Sequence, residues 1–146
     1  MVEVAFYKAK HGKFFEKLMA WVQGSKFSHV EIVIDNFCYS SSQRDGGVRQ
    51  KVINLHNGKW ELFDMDIPFS HKGVRLFQLT NKYKYDWIGA ILNLVFKLHR
   101  QVSLNRFYCT EWCIQCLNAM LNENYNINMS MNEFYNLTKQ LGTNNE

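Results

Sequence analysis

The stretch Phe107-Tyr108-Cys109-Thr110-Glu111-Trp112 places a cysteine where the chain takes on helical spacing. A thiol at a helix start feels unpaired backbone N–H groups and the positive end of the helix dipole, and both favour the thiolate. The same N–H groups can receive the negative charge that develops on a carbonyl oxygen under attack. Cys109 is therefore read as a candidate nucleophile. Cys113 and Cys116 follow on one helical stripe with Trp112, Leu117 and Met120 and are read as core. A zinc site would need that stripe completed by Cys38 and a histidine from a strand. Knuckle-type ligand pairs across a turn are missing, so no metal and no cofactor is expected.

A nucleophilic cysteine needs a base, and His29 is the histidine placed to supply one. It sits inside the apolar run Phe27-Ser28-His29-Val30-Glu31-Ile32-Val33-Ile34, where an imidazole is costly unless bonded or used. Glu31 lies two residues on, on the same strand face, where a carboxylate can set the tautomer and favour the imidazolium. A satisfied core histidine, with Glu31 reaching solvent or a nearby Lys or Arg, is the competing structural reading. His11, His56, His71 and His99 lie in polar or loop-like surroundings and carry no such signal.

The elements that must hold these groups can be read in outline. Residues 2–9 alternate as a first strand. Gly12 then opens a helix with Phe14, Phe15, Leu18, Met19 and Val22 at helical spacing, closed by Gly24-Ser25. The histidine strand turns at Asp35-Asn36 into 37–42, a hairpin, and 48–55 continues a meander. Residues 59–65 form one more strand, ended by Pro68. The second half is helical: from Ser70 to about Leu79, over 85–98, from Cys109 to Leu121, and a last helix capped by Ser130 and Glu133 with Met129 and Phe134 as staple. The class is α+β, an antiparallel β-sheet meander with packed helices. One domain spans 1–142, and 143–146 is expected to be a flexible tail.

Composition narrows the function. The chain has 146 residues, 47% of them hydrophobic, with a net charge of +4 and basic residues scattered among acids. No arginine cluster or basic run marks a nucleic-acid groove. The longest apolar stretch, Trp87 to Leu98, is broken by Asn93 and Lys97 and is shorter than the roughly 20 residues of a transmembrane segment. The start lacks the pattern of a secretory signal, and four cysteines without one suggest free thiols in a reducing, cytoplasmic setting.

In the order and spacing of these motifs the chain resembles the circularly permuted branch of the NlpC-type papain-like cysteine hydrolases. The "FSHVEIVI" strand matches that family's histidine strand and "FYCTEW" its cysteine at a helix start. Between them "KYDWIGA" and "SSQRDGGVR" are similar to elements of small phage-encoded members, which implies the host cytoplasm if this chain is phage-encoded. The resemblance implies a permuted papain-like fold, with Cys109 as nucleophile and His29 as general base and acid, in the order permutation requires. It places the third member about eleven residues after the histidine, where this chain has Ser40. A serine orients an imidazolium poorly; Glu31 is the better chemical candidate, with Asp45 behind it.

The function expected is a cysteine hydrolase that cleaves an amide, peptide or related acyl bond. The alternatives are a catalytically inactive binding module of the same fold, favoured by Ser40, and a lipid acyl hydrolase or acyltransferase. Tyr108, beside the nucleophile, and Tyr85 are the expected groove-lining residues. Trp87 and Trp112, at helical spacing, are read first as core.

Overall fold

The computed structural model describes residues 1–92 and 106–145. The order of elements is β1 (Val2–Lys8), a 3-10 turn (Ala9–His11), α1 (Phe14–Val22), β2 (Phe27–Ile34), β3 (Phe37–Ser42), β4 (Gly47–Lys51), β5 (Trp60–Met65) and α2 (Ser70–Thr80). There follow β6 (Lys84–Tyr85), α3 (Trp87–Ala90), β7 (Arg106–Phe107), α4 (Cys109–Leu121), α5 (Met131–Leu141) and β8 (Gly142–Asn145). Of the helix expected over 85–98, residues 93–98 lie outside the described residues. The class is α+β, with one eight-stranded sheet in the order β7-β6-β4-β3-β2-β1-β5-β8 among the described residues.

The β2–β3–β4 meander forms as expected, and its first turn shows why. Asp35 and Asn36 hold φ of 49° and 71°, the left-handed pair that a two-residue hairpin turn demands and that Asp and Asn tolerate. The next strand departs from the expected succession. β5 crosses to the far side of β1, which lies between β2 and β5 and pairs antiparallel with both. Every residue of β1 except Lys8 has a partner on each side, so the first strand lies inside the sheet, third from one edge. The expected tail also differs: Gly142–Asn145 pair antiparallel with Leu62–Met65 and form the sheet's edge.

One layer of helices covers the sheet. Phe6, Phe27 and Phe63 meet Phe134 and Tyr135 of α5 in an aromatic cluster with ring centroids 4.8–6.1 Å apart. α4 packs beneath β2 and β3, and its Trp112 is fully buried with Nε1 donating to Thr80 Oγ1 at 2.9 Å. α2 packs on α4 through Gly73, where a Cβ would meet Met120 Sδ at 2.6 Å and Cys116 Sγ at 3.1 Å. The glycine that weakens the helix signal in the sequence is what lets the two helices approach.

α1 departs from the usual amphipathic rule. Its expected apolar stripe faces outward: Phe14 and Trp21 are 81% and 78% exposed, and Phe15, Leu18 and Val22 are exposed as well, while Ala20 faces the protein. No helix among the described residues is long and apolar enough to cross a membrane.

Candidate functional site

Two strands and a helix start bring the site together. β7 ends at Phe107, whose carbonyl oxygen accepts Ser41 Oγ at 2.6 Å and the Asp86 backbone N–H at 3.0 Å. The entry to α4 is thereby tied to β3 and to the α3 start. The Glu111 carboxylate accepts the Tyr108 backbone N–H, leaving Cys109 as the first residue of α4. One turn later, Cys113 Sγ donates to the Val30 carbonyl at 3.5 Å, and Ser40 Oγ donates to the same oxygen at 2.8 Å. These bonds strap the cysteine helix to the histidine strand beside His29.

The Cys109 thiol and the His29 imidazole border the same cleft, close enough for each to shift the other's pKa. His29 Nε2 lies 2.7 Å from Glu31 Oε1, which leaves Nδ1 as the ring nitrogen open to the thiol. Glu31 is fully buried, yet it carries two further bonds from Arg49. The guanidinium embraces the carboxylate, Nη1 to Oε2 at 2.7 Å and Nη2 to Oε1. Arg49 Nε in turn donates to Asp45 Oδ2 at 2.8 Å, and Lys51 Nζ lies 3.2 Å from Asp45 Oδ1. The result is a chain of bonded partners from the cleft to the surface, His29, Glu31, Arg49 and Asp45, with Cys109 beside its inner end.

The electrostatics follow from that chain. Burial disfavours the imidazolium, but the Glu31 carboxylate and the Cys109 thiol outweigh it and lift the His29 pKa to about 10. Burial also pushes the Cys109 thiol up, and the hydrogen bond and charge of His29 bring it below its ordinary 9.0. For Glu31 the penalty of burial is overcome by Arg49 and His29, so the carboxylate stays below the usual range. The other thiols move the opposite way: burial raises Cys113 and Cys116 and pushes Cys38 up to about 11. All four cysteines are unpaired thiols, and Cys109 is the one lowered.

Cys109 is only 4% exposed, less than a helix-start nucleophile suggests from sequence, because it forms the floor where two clefts meet. The larger cleft, of about 440 Å³, is polar and bordered by His29, Arg49, Asn54, Asn57, Lys59 and Trp60. The narrower one, of about 40 Å³, runs between α1 and α3 past Phe15, Met19, Trp87 and Ile91. Ser28 and Gln43 border both beside Cys109. Ser28 Oγ and Gln23 Oε1, on residues that border the narrow cleft, are buried polar atoms without a hydrogen-bond partner.

Of the candidate third members, Glu31 alone lies at hydrogen-bond distance from the imidazole. Ser40 is spent on the Val30 carbonyl under the sheet, and Asp45 stands one step removed, behind Arg49. Tyr85 borders both clefts, whereas Tyr108 is buried and borders neither. The reason is its position: Tyr108 precedes the helix with extended backbone and is drawn into the core. Trp112 is core, and Trp87 lines the narrow cleft. Sequence reading did not single out Arg49. A carboxylate buried in an apolar strand calls for a cation, but β4 carries both Arg49 and Lys51, and which of them faces Glu31 is decided by register. Among the described residues no group of three or more His, Cys, Asp or Glu is placed to hold a metal ion. No family model matches the chain, and no curated protein matches it.

Proposed function

We propose that the chain is a cysteine hydrolase of the permuted papain-like, NlpC-type architecture that cleaves an amide, peptide or related acyl bond. The observation that carries this reading is Cys109 at the start of α4 and the His29–Glu31 pair of β2 on one cleft, an arrangement that favours the charged forms of thiol and imidazole. A core histidine kept for packing has no use for a thiol partner at a helix start.

In the proposed cycle the Cys109 thiolate attacks the substrate carbonyl carbon, forming an S–C bond as the C–O π electrons move to oxygen. Backbone N–H groups at the start of α4 receive that oxyanion. His29 gives its proton to the leaving amine as the C–N bond breaks, which leaves a thioester and a neutral imidazole. Water then gives a proton to His29 as it attacks the thioester carbonyl, and collapse expels the Cys109 thiolate and releases the acid. Glu31 stays ionised throughout and steadies the imidazolium, and Arg49 keeps it ionised.

Iodoacetamide labelling read by peptide mass spectrometry tests the reading. Alkylation is expected at Cys109 ahead of the other three thiols, with a rate that follows ionisation below 9.0 and falls sharply in His29→Ala. Labelling of Cys109 indifferent to His29 would leave a binding module of the same fold. The apolar walls of the narrow cleft, Phe15, Met19, Trp87 and Ile91, favour a second reading in which the acyl group is a hydrocarbon chain. Turnover of a long-chain thioester above a short-chain one separates it from peptide cleavage.

A further inference from the structure

The net charge of the chain is concentrated at one place. Residues 8–26 hold Lys8, Lys10, Lys13, Lys17 and Lys26 against a single acid, Glu16. The chain has 17 basic and 13 acidic residues in all, so twelve of each remain elsewhere and the whole excess of +4 lies in this segment. Glu16 is turned inward, where Arg44 binds it at 2.7 and 2.8 Å and the Lys13 backbone N–H at 2.7 Å. The outward arc of α1 therefore shows Phe14, Lys17, Leu18, Trp21 and Val22 and no acid.

The apolar surface does not end with the helix. The rings of Phe15 and Trp87 lie 5.9 Å apart, which joins α1 to α3, where Ile88 is 58% exposed and Trp87 and Ile91 are exposed too. Two tryptophans, two phenylalanines and four aliphatic side chains thus lie on one surface around the mouth of the narrow cleft. A monomer in water rarely shows so much contiguous apolar surface. Apolar and aromatic groups bordered by lysines make up the composition of a helix that lies in the plane of a bilayer interface.

We propose that α1 and α3 form an interfacial docking surface for an anionic lipid bilayer. Phe14, Leu18 and Trp21 enter the headgroup–acyl boundary, and Lys10, Lys13 and Lys17 meet the lipid phosphates. The charge complementarity selects a bilayer over a second copy of the chain, since two copies would set the same lysines against each other. The proposal stands apart from the catalytic reading, and Cys109→Ala protein is expected to dock as the native protein does.

Co-sedimentation with vesicles tests it, using phosphatidylcholine alone and phosphatidylcholine with about one-third phosphatidylglycerol as the anionic lipid. Binding is expected to the anionic vesicles, to weaken with salt, and to be nearly absent with phosphatidylcholine alone. Lys10→Gln, Lys13→Gln and Lys17→Gln are each expected to weaken it by about fivefold. Phe14→Ser with Trp21→Ser is expected to abolish it, with circular dichroism confirming the fold, because both positions are solvent-exposed. No binding to anionic vesicles, or binding indifferent to these variants, overturns the proposal. So does a dimer in sedimentation equilibrium that the Phe14/Trp21 variant dissolves, which would assign the face to a second copy.

Discussion

Glu31 serves two partners with one carboxylate, and that sharing sets what each substitution around it should do. Its Oε1 faces His29 while Arg49 spans both oxygens, so Glu31→Gln removes the charge that lifts the imidazole and strands a partly buried guanidinium. Turnover is expected to drop by about tenfold to several hundredfold while the fold persists. Ser40→Ala should leave the imidazole untouched, because the hydroxyl bonds the Val30 carbonyl. Arg49→Met gives a different signature. It leaves Glu31 buried with His29 as its main cation and should cost stability on the order of 3 kcal/mol, as breaking a buried pair does. Arg49 touches no reacting atom, so its positioning role shows in the pH profile. The alkaline limb of the rate, set by loss of the imidazolium near pH 10, is expected to move upward in Arg49→Met, because the ionised Glu31 then faces His29 without a competing cation. An alkaline limb that stays put while stability falls would reduce Arg49 to a structural role. The His29–Glu31 pairing was legible from their spacing of two on one strand. Arg49 was not, because strand neighbours are set by register, which a single sequence states only weakly.

The elements divide the three cysteines of α4 by what they touch. Cys109 faces the cleft floor, Cys113 straps the helix to β2 through the Val30 carbonyl, and Cys116 lies fully buried where α2 crosses. Cys113→Ala and Cys116→Ala are expected to lower the thermal midpoint while leaving turnover largely intact. Cys109→Ala should do the reverse. The same contact makes Gly73→Ala informative, since the added methyl would sit within 3.1 Å of Met120 Sδ, Ile34 Cδ1 and Cys116 Sγ. Overpacking of this kind typically costs about 1–3 kcal/mol, against the several tenths that alanine ordinarily gains over glycine in a helix. A stabilised Gly73→Ala protein in urea unfolding would show that α2 yields. Helix existence was legible here from periodicity and caps, as with Ser130 and Glu133, whose reciprocal bonds measure 3.2 and 2.7 Å. Which face turns inward was not. Period finds the apolar stripe of α1 but says nothing of whether the molecule covers it, and in this chain the stripe is left outside. The crossing of β5 past β1 was hidden for a similar reason: alternation marks a strand without naming its neighbour.

Across the whole molecule, the Cys109–His29 pair leaves a trace in the pH dependence of stability. A histidine raised to about 10 contributes stability that is complete below its unfolded value of 6.5 and is lost as pH rises through the folded value. A thiol lowered from 9.0 acts in the opposite sense: its contribution is complete above 9.0 and is lost as pH falls through the lowered value. Between 6.5 and 9.0 the folded protein holds one extra proton on the imidazole and, once the thiol has ionised, one fewer on the sulfur. The two slopes then cancel. Native protein is therefore expected to show a nearly flat unfolding free energy from the thiol's lowered pKa up to pH 9.0. Cys109→Ala removes the compensating group while Glu31 still holds His29 protonated, and its stability is expected to fall with rising pH by up to about 1.4 kcal/mol per unit. His29→Ala, with nothing left to offset the burial that raises the thiol, should lose both slopes and run flat between 6.5 and 9.0. Urea titrations of the three proteins at successive pH values decide the matter. A native curve that already falls as steeply as that of Cys109→Ala would mean that the thiol stays protonated in the folded chain, and the thiolate–imidazolium pair would have to be given up.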